Sequence, residues 1–226
     1  MKTFSEYTNS KKHSVRESAD TQYTLFPKNK KELEQMIKEE IKKQGDEADL
    51  NHIDVSKITD LSEVFTGSDF NGDISKWDVS NVTNMKDMFL CATSFNGDIS
   101  DWDVSKVTDM NGMFYEAKSF NQDLSGWDVS NVEDMAYMFQ KASNFHGDIS
   151  TWDVRNVKNM CHMFDGSAFN GNLKRWNTKN VINMEYMFCY SAFNQDISKW
   201  DVSNVIAKVY MFFGCPCPEE YQPKFT

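Results

Sequence analysis

From residue 51 onward the large apolar side chains recur at a fixed period. The six tryptophans stand at 77, 102, 127, 152, 176 and 200, in steps of 25, 25, 25, 24 and 24. The phenylalanines that open the copies, at 70, 95, 120, 145, 169 and 193, keep the same steps. In one copy, DISKWDVSNVTNMKDMF (residues 73–89), the apolar positions are Ile74, Trp77, Val79, Val82, Met85, Met88 and Phe89. A degenerate first copy, IDVSKITDLSEVF, puts Ile53 in place of Trp and Leu61, Val64 and Phe65 in place of Met, Met and Phe.

A period of this length predicts coils that stack on their neighbours. Ile-x-x-Trp-x-Val has the spacing of a leucine-rich repeat, in which a short strand sends alternate residues inward. Val-x-x-Met-x-x-Met-Phe then runs at a period of three, as a short helical or 3₁₀ return segment does. The expected fold class is a leucine-rich-repeat-like solenoid, with one short parallel strand and one short return segment per 24–25-residue coil. Phe-Asn-Gly or Phe-Asn-Gln followed by Asp suits a tight corner. The shortened copies lose a residue between the closing Phe and the next opening one, so a surface turn is expected there.

Before the repeats, NKKELEQMIKEEIKKQG carries Leu33, Met36, Ile37 and Ile41 on one helical face. Asn29 is its N-cap, with Glu32 three residues on, and Gly45 is its stop, predicting a helix over roughly 30–44. The organisation expected is a flexible polar arm over 1–27 and an N-terminal capping helix in 28–50. About seven coils follow over 51–213, with a C-terminal cap or tail in 214–226 that holds three of the chain's four prolines.

Composition narrows the function classes. At 40% hydrophobic and 14% aromatic residues the chain can bury a core. The net charge is −10. Residues 1–50 balance ten basic against ten acidic side chains, so the whole excess lies in residues 51–226. Such a surface argues against nucleic acid as a partner. No stretch approaches a membrane span and the start lacks an apolar signal core, so no membrane insertion is expected. Five cysteines without framework spacing are expected as free thiols.

The Asp after each Trp forms a series, Asp54, Asp78, Asp103, Asp128, Asp153 and Asp201, broken by Asn177. Stacked in register it is either a calcium ladder or a set of acceptors for nearby backbone and Ser groups. A second series (Asp73, Asp98, Asp123, Asp148, Asp196) reads as turn-capping. The Met ladder reads as core. Cys161–His162 and Cys-Pro-Cys-Pro lack zinc spacing, and no catalytic motif occurs, so no metal, no cofactor and no enzyme are expected.

More informative are positions where the copies differ. Arg155, Arg175, Lys179 and Lys199 converge on the fourth to sixth tryptophan-bearing coils as a basic island, beside an acidic strip of Asp78, Asp101, Asp103 and Asp128. These residues are the expected partner-binding set, on a concave strand face.

The long motif D-[IL]-S-x-W-D-V-S-N-V-x-x-M-x-x-M-F, with Phe-Asn-[GQ]-Asp, resembles the BspA-like leucine-rich-repeat surface proteins and especially the mycoplasma-type repeat domain of unknown function. That resemblance covers about residues 51–213. It implies a solenoid and a surface or adhesion role, and supplies no catalytic residues. The expected function is a non-catalytic interaction or adhesion solenoid that binds a protein or glycan. The alternative is a structural component of a larger assembly, a virion or surface particle, docked by the N-terminal arm and helix. The expected location is cytoplasmic or within a particle, with the cell surface implied by the resemblance.

Overall fold

A computed structural model describes residues 23–225. The expected polar arm therefore lies, up to residue 22, outside the described residues. Thr24 and Leu25 donate their N–H groups to the His52 carbonyl, and Asp54 N–H returns a bond to the Leu25 carbonyl. Helix α1 spans Lys30–Gln44, where the apolar spacing predicts a helix. The Asn29 side chain accepts from Glu32 N–H, and Gly45 N–H bonds the Ile41 carbonyl at a φ of 87° that favours glycine.

Beyond α1 the strand-based leucine-rich-repeat solenoid is overturned. Among the described residues there is no β-strand and no helical return segment, only isolated parallel bridges and one short 3₁₀ turn, Glu219–Tyr221. In a strand, Ile74 and Trp77 would point to opposite faces. Here both are buried, because they are the first and last residues of one β-turn, closed by Trp77 N–H to the Ile74 carbonyl at 3.1 Å. Val79–Val82 at 2.8 Å and Met85–Met88 at 3.3 Å repeat the device. Each turn follows an Asx residue whose side-chain oxygen accepts the N–H two residues on: Asp73 to Ser75, Asp78 to Ser80 and Asn84 to Lys86, at 2.9–3.1 Å. The period-three run does not wind into a 3₁₀ segment because Asp87 and Cys91 hold φ of 54° and 56°. A left-handed residue in the third position ends each turn before the next begins.

These turns form coils, and the coils stack. Asp60, Asn84, Asp109, Asp134, Asn159, Asn183 and Ala207 are bridged in one parallel column. At every junction four alternate N–H groups of one coil donate to the next. Met85, Asp87, Phe89 and Cys91, for example, reach the carbonyls of Asp109, Asn111, Met113 and Tyr115 at 2.7–2.9 Å. The donors all point toward the C-terminal end, which makes the stack directional.

The core repeats with the backbone. Phe65, Phe89, Phe114, Phe139, Phe164, Phe188 and Phe212 stack at centroid spacings of 5.5–5.8 Å. Each buried Trp also reaches backward. Its indole N–H donates to a carbonyl of the preceding coil, as from Trp152 to Leu124 at 2.9 Å and from Trp200 to Leu173 at 2.9 Å. A buried indole needs such an acceptor, so Trp both fills the coil and staples it to its neighbour. The Asn corners bridge coils as well: Asn71 Oδ1 accepts from Asn96 N–H, and Asn96 Oδ1 from Asn121 N–H.

Candidate interaction surface

Because the core takes the apolar residues and the turns take the recurring Asx side chains, the non-recurring polar residues decide what the surface presents. The acidic strip is tied down first. Asp78, Asp103 and Asp128 each accept from the N–H of Ser80, Ser105 and Ser130 at 3.0–3.1 Å. Asn177 does the same for Lys179 at 3.3 Å, so the column requires an acceptor oxygen rather than a charge. Asp201 is held below the usual carboxylate range by the Ser203 hydroxyl and N–H, with a smaller contribution from Lys179. Asp101 is exposed in a different column, one residue before its Trp. Among the described residues no group of three His, Cys, Asp or Glu is arranged to hold a metal ion.

The face these residues share is a row of turns, which corrects the expected strand face. Within the basic set the structure brings Arg155 and Arg175 together. Both line one cleft of about 660 Å³, with Asp153, Asn172 and Asn177. Arg155 grips Asp153 through two bonds, Nη2–Oδ2 at 2.7 Å and Nε–Oδ1 at 2.9 Å. This fork lowers the Asp153 pKa and raises that of Arg155. Lys179 and Lys199 are exposed but lie outside the lining of the cleft. The nearby Lys174 is paired with Asp196 at 2.9 Å, which holds that carboxyl far below its usual range.

A second feature escaped the sequence reading. Tyr137, His162, Tyr186 and Tyr210 form a ladder on successive coils, with centroids 5.0, 4.5 and 5.3 Å apart. All four have φ between 54° and 61°, a conformation that is costly for an aromatic residue. His162 Nδ1 lies 2.8 Å from Asp165 Oδ2, which also accepts from Gln140 Nε2 at 2.7 Å. In the first three coils the same column holds Glu63, Asp87 and Gly112. The switch from Glu, Asp and Gly to Tyr and His, one residue before the second Met of each copy, is the signal in the sequence. Exposed apolar residues also concentrate at this end: Ile182, Tyr190, Ile206, Val209, Tyr210 and Phe213. No helix among the described residues is long and apolar enough to cross a membrane.

A protein family described as "Mycoplasma protein of unknown function, DUF285" matches residues 31–148 and, overlapping, residues 123–221. No curated protein and no solved structure matches the chain.

Proposed function

We propose that this chain, which belongs to that Mycoplasma family of unknown function, is a non-catalytic interaction module that captures an acidic group of a protein or glycan partner. The carrying observation is the convergence of Arg155 and Arg175 on one cleft in an otherwise acidic protein. Arg suits this role because its planar fork matches carboxylate and sulfate geometry. Asp153 preorganises Arg155 but takes only part of its donor capacity, since a guanidinium carries five N–H groups. Lys179 and Lys199 would steer an acidic partner from the flanks rather than touch it. The resemblance of the repeat to BspA-like surface proteins supports an adhesive role.

The test uses sulfated and sialylated glycans and acidic peptides as probes, titrated against the chain and its Arg155→Glu/Arg175→Glu variant. The reading expects saturable, salt-sensitive binding that falls at least about tenfold in the variant. It also expects Asp78→Lys/Asp128→Lys to leave that binding intact. Equal binding by the Arg variant overturns it.

A further inference from the structure

We propose that the C-terminal edge of the stack, residues 208–214, is a docking site for an extended peptide of another protein. This peptide adds one further coil arm, parallel to the edge, with a Met-x-x-Met-Phe pattern of apolar residues. The inference rests on a different surface from the Arg155–Arg175 cleft and does not depend on it.

The six internal junctions show what this edge is built to hold. At each of them four alternate N–H groups donate to four alternate carbonyls of the next coil. The last complete set runs from Met184, Tyr186, Phe188 and Tyr190 to Ala207, Val209, Met211 and Phe213 at 2.8–3.0 Å. The equivalent donors of the final coil are the N–H groups of Lys208, Tyr210, Phe212 and Gly214. None of these meets a backbone acceptor among the described residues. Such a row of free donors is a template for backbone augmentation.

The side chains beside it agree. Phe212 stacks on Phe188 at 5.7 Å, yet it is only half-buried, whereas Phe65 and the five rings after it in the ladder are at most 2% exposed. Its outer face therefore lacks the next ring. Val209, Tyr210 and Phe213 flank it at 51, 53 and 51% exposure, whereas one coil earlier Glu185 and Tyr186 are half-buried and Cys189 is buried; Ile206 adds a further exposed apolar side chain. A patch of this kind marks an interaction surface. The chain's own C-terminal segment does not fill it. Tyr221 accepts from Ile197 N–H through its carbonyl, and Phe225 packs against the core with Lys208 Nζ 4.6 Å from its ring centroid, but no backbone acceptor of residues 215–225 reaches the N–H groups of Tyr210, Phe212 or Gly214.

Geometry also argues against a second copy. Two C-terminal edges bring donors against donors. A head-to-tail contact needs the carbonyls of Asp60, Ser62, Val64 and Thr66 on the first coil, at the end where α1 sits. There Lys30 Nζ bonds Ser62 Oγ at 2.6 Å and approaches Asp60 at 3.9 Å, and Leu61 and Ser62 are already buried. The fitting occupant is a separate segment that offers alternate carbonyls and a Phe for the open face of Phe212.

The probe is a capped peptide of residues 108–116, the arm that occupies this position on the second coil. It is titrated into the full chain while amide exchange is followed. Saturable binding should slow exchange of the Tyr210, Phe212 and Gly214 amides by about tenfold or more. Phe212→Asp, and separately Ile206→Lys, should weaken binding about tenfold with unchanged near-UV dichroism. Binding should persist in Arg155→Glu/Arg175→Glu. The proposal is overturned if the peptide leaves those amides unprotected, if a scrambled peptide protects them equally, or if both variants bind as the parent does. Protection that rises with protein concentration in the absence of peptide assigns the edge to a second copy instead, and likewise overturns it.

Discussion

Replacing Trp152 by Phe isolates the staple that links one coil to the last. Trp152 is 3% exposed and lies between the rings of Trp127 and Trp176, each 6.4 Å away. Its indole N–H donates to the Leu124 carbonyl at 2.9 Å. The substitution removes that bond, worth about 1 kcal/mol net. It orphans no acceptor, because Trp127 N–H still bonds the same carbonyl at 3.1 Å. Loss of the second ring adds roughly 1–2 kcal/mol of burial and cavity cost. The expected total is about 2–3 kcal/mol, and Trp152→Ala should cost about 3–5 kcal/mol. Trp200→Phe should cost less, since one tryptophan ring, Trp176 at 6.1 Å, packs against it. Urea unfolding followed by far-UV dichroism reads these values from the midpoint, provided the slope is unchanged. A loss below about 0.5 kcal/mol for Trp152→Phe, at constant slope, would refute the staple.

Further consequences follow from the turns and the titrating groups. Asp128→Ala should cost about 0.5–1.5 kcal/mol and Asp128→Asn almost nothing, because Asn177 already serves in that column; equal losses in urea melts would show that charge matters instead. Glu63, at φ 61°, carries left-handed strain of about 1–2 kcal/mol against the roughly 0.5–1 kcal/mol entropic cost of glycine. Glu63→Gly should therefore raise the urea midpoint, and a lowered midpoint contradicts this. Burial pushes the Cys217 thiol up to about 11 from 9.0, so the folded state holds that proton longer than the unfolded state. Stability is full below pH 9 and falls as pH climbs toward 11; Cys217→Ser should flatten that limb in thermal melts. Asp148, Asp153 and Asp201 have depressed pKa values, led respectively by the Ser150 N–H, the Arg155 side chain and the Ser203 hydroxyl. Their contribution is present above the ordinary carboxylate range and lost as pH falls through the folded values, so an acid limb should appear and shrink in Asp153→Asn.

The period was legible because each coil needs the same interior, and Trp and Phe recur wherever that interior recurs. The path of the chain within a coil was not. Ile-x-x-Trp-x-Val fits a strand preceded by a turn as well as it fits two successive turns. The choice falls to hydrogen bonds that only the folded chain displays, Asp73 to Ser75 and Trp77 to Ile74. Which of the basic residues share a cleft was not legible. Arg155 and Arg175 line one cleft, while Lys179 and Lys199 do not line it. Arg155 also proved to be paired, a contact that sequence spacing to Asp153 alone does not establish. The Tyr137–Tyr210 ladder was hidden because its column falls inside the Met-x-x-Met segment, where period-three reasoning looks only at the apolar ends.

The sequence by itself determined where the coils begin and repeat, where α1 starts and stops, and which side chains lie inside. Those follow from local capping chemistry and from the spacing of apolar residues along one chain. The tertiary structure decided what a coil is made of, which charged residues share a cleft, and which edge is left without a partner. These depend on groups some 24–25 residues apart meeting across a junction. There the cost of leaving an indole N–H or a backbone amide unpaired selects the arrangement.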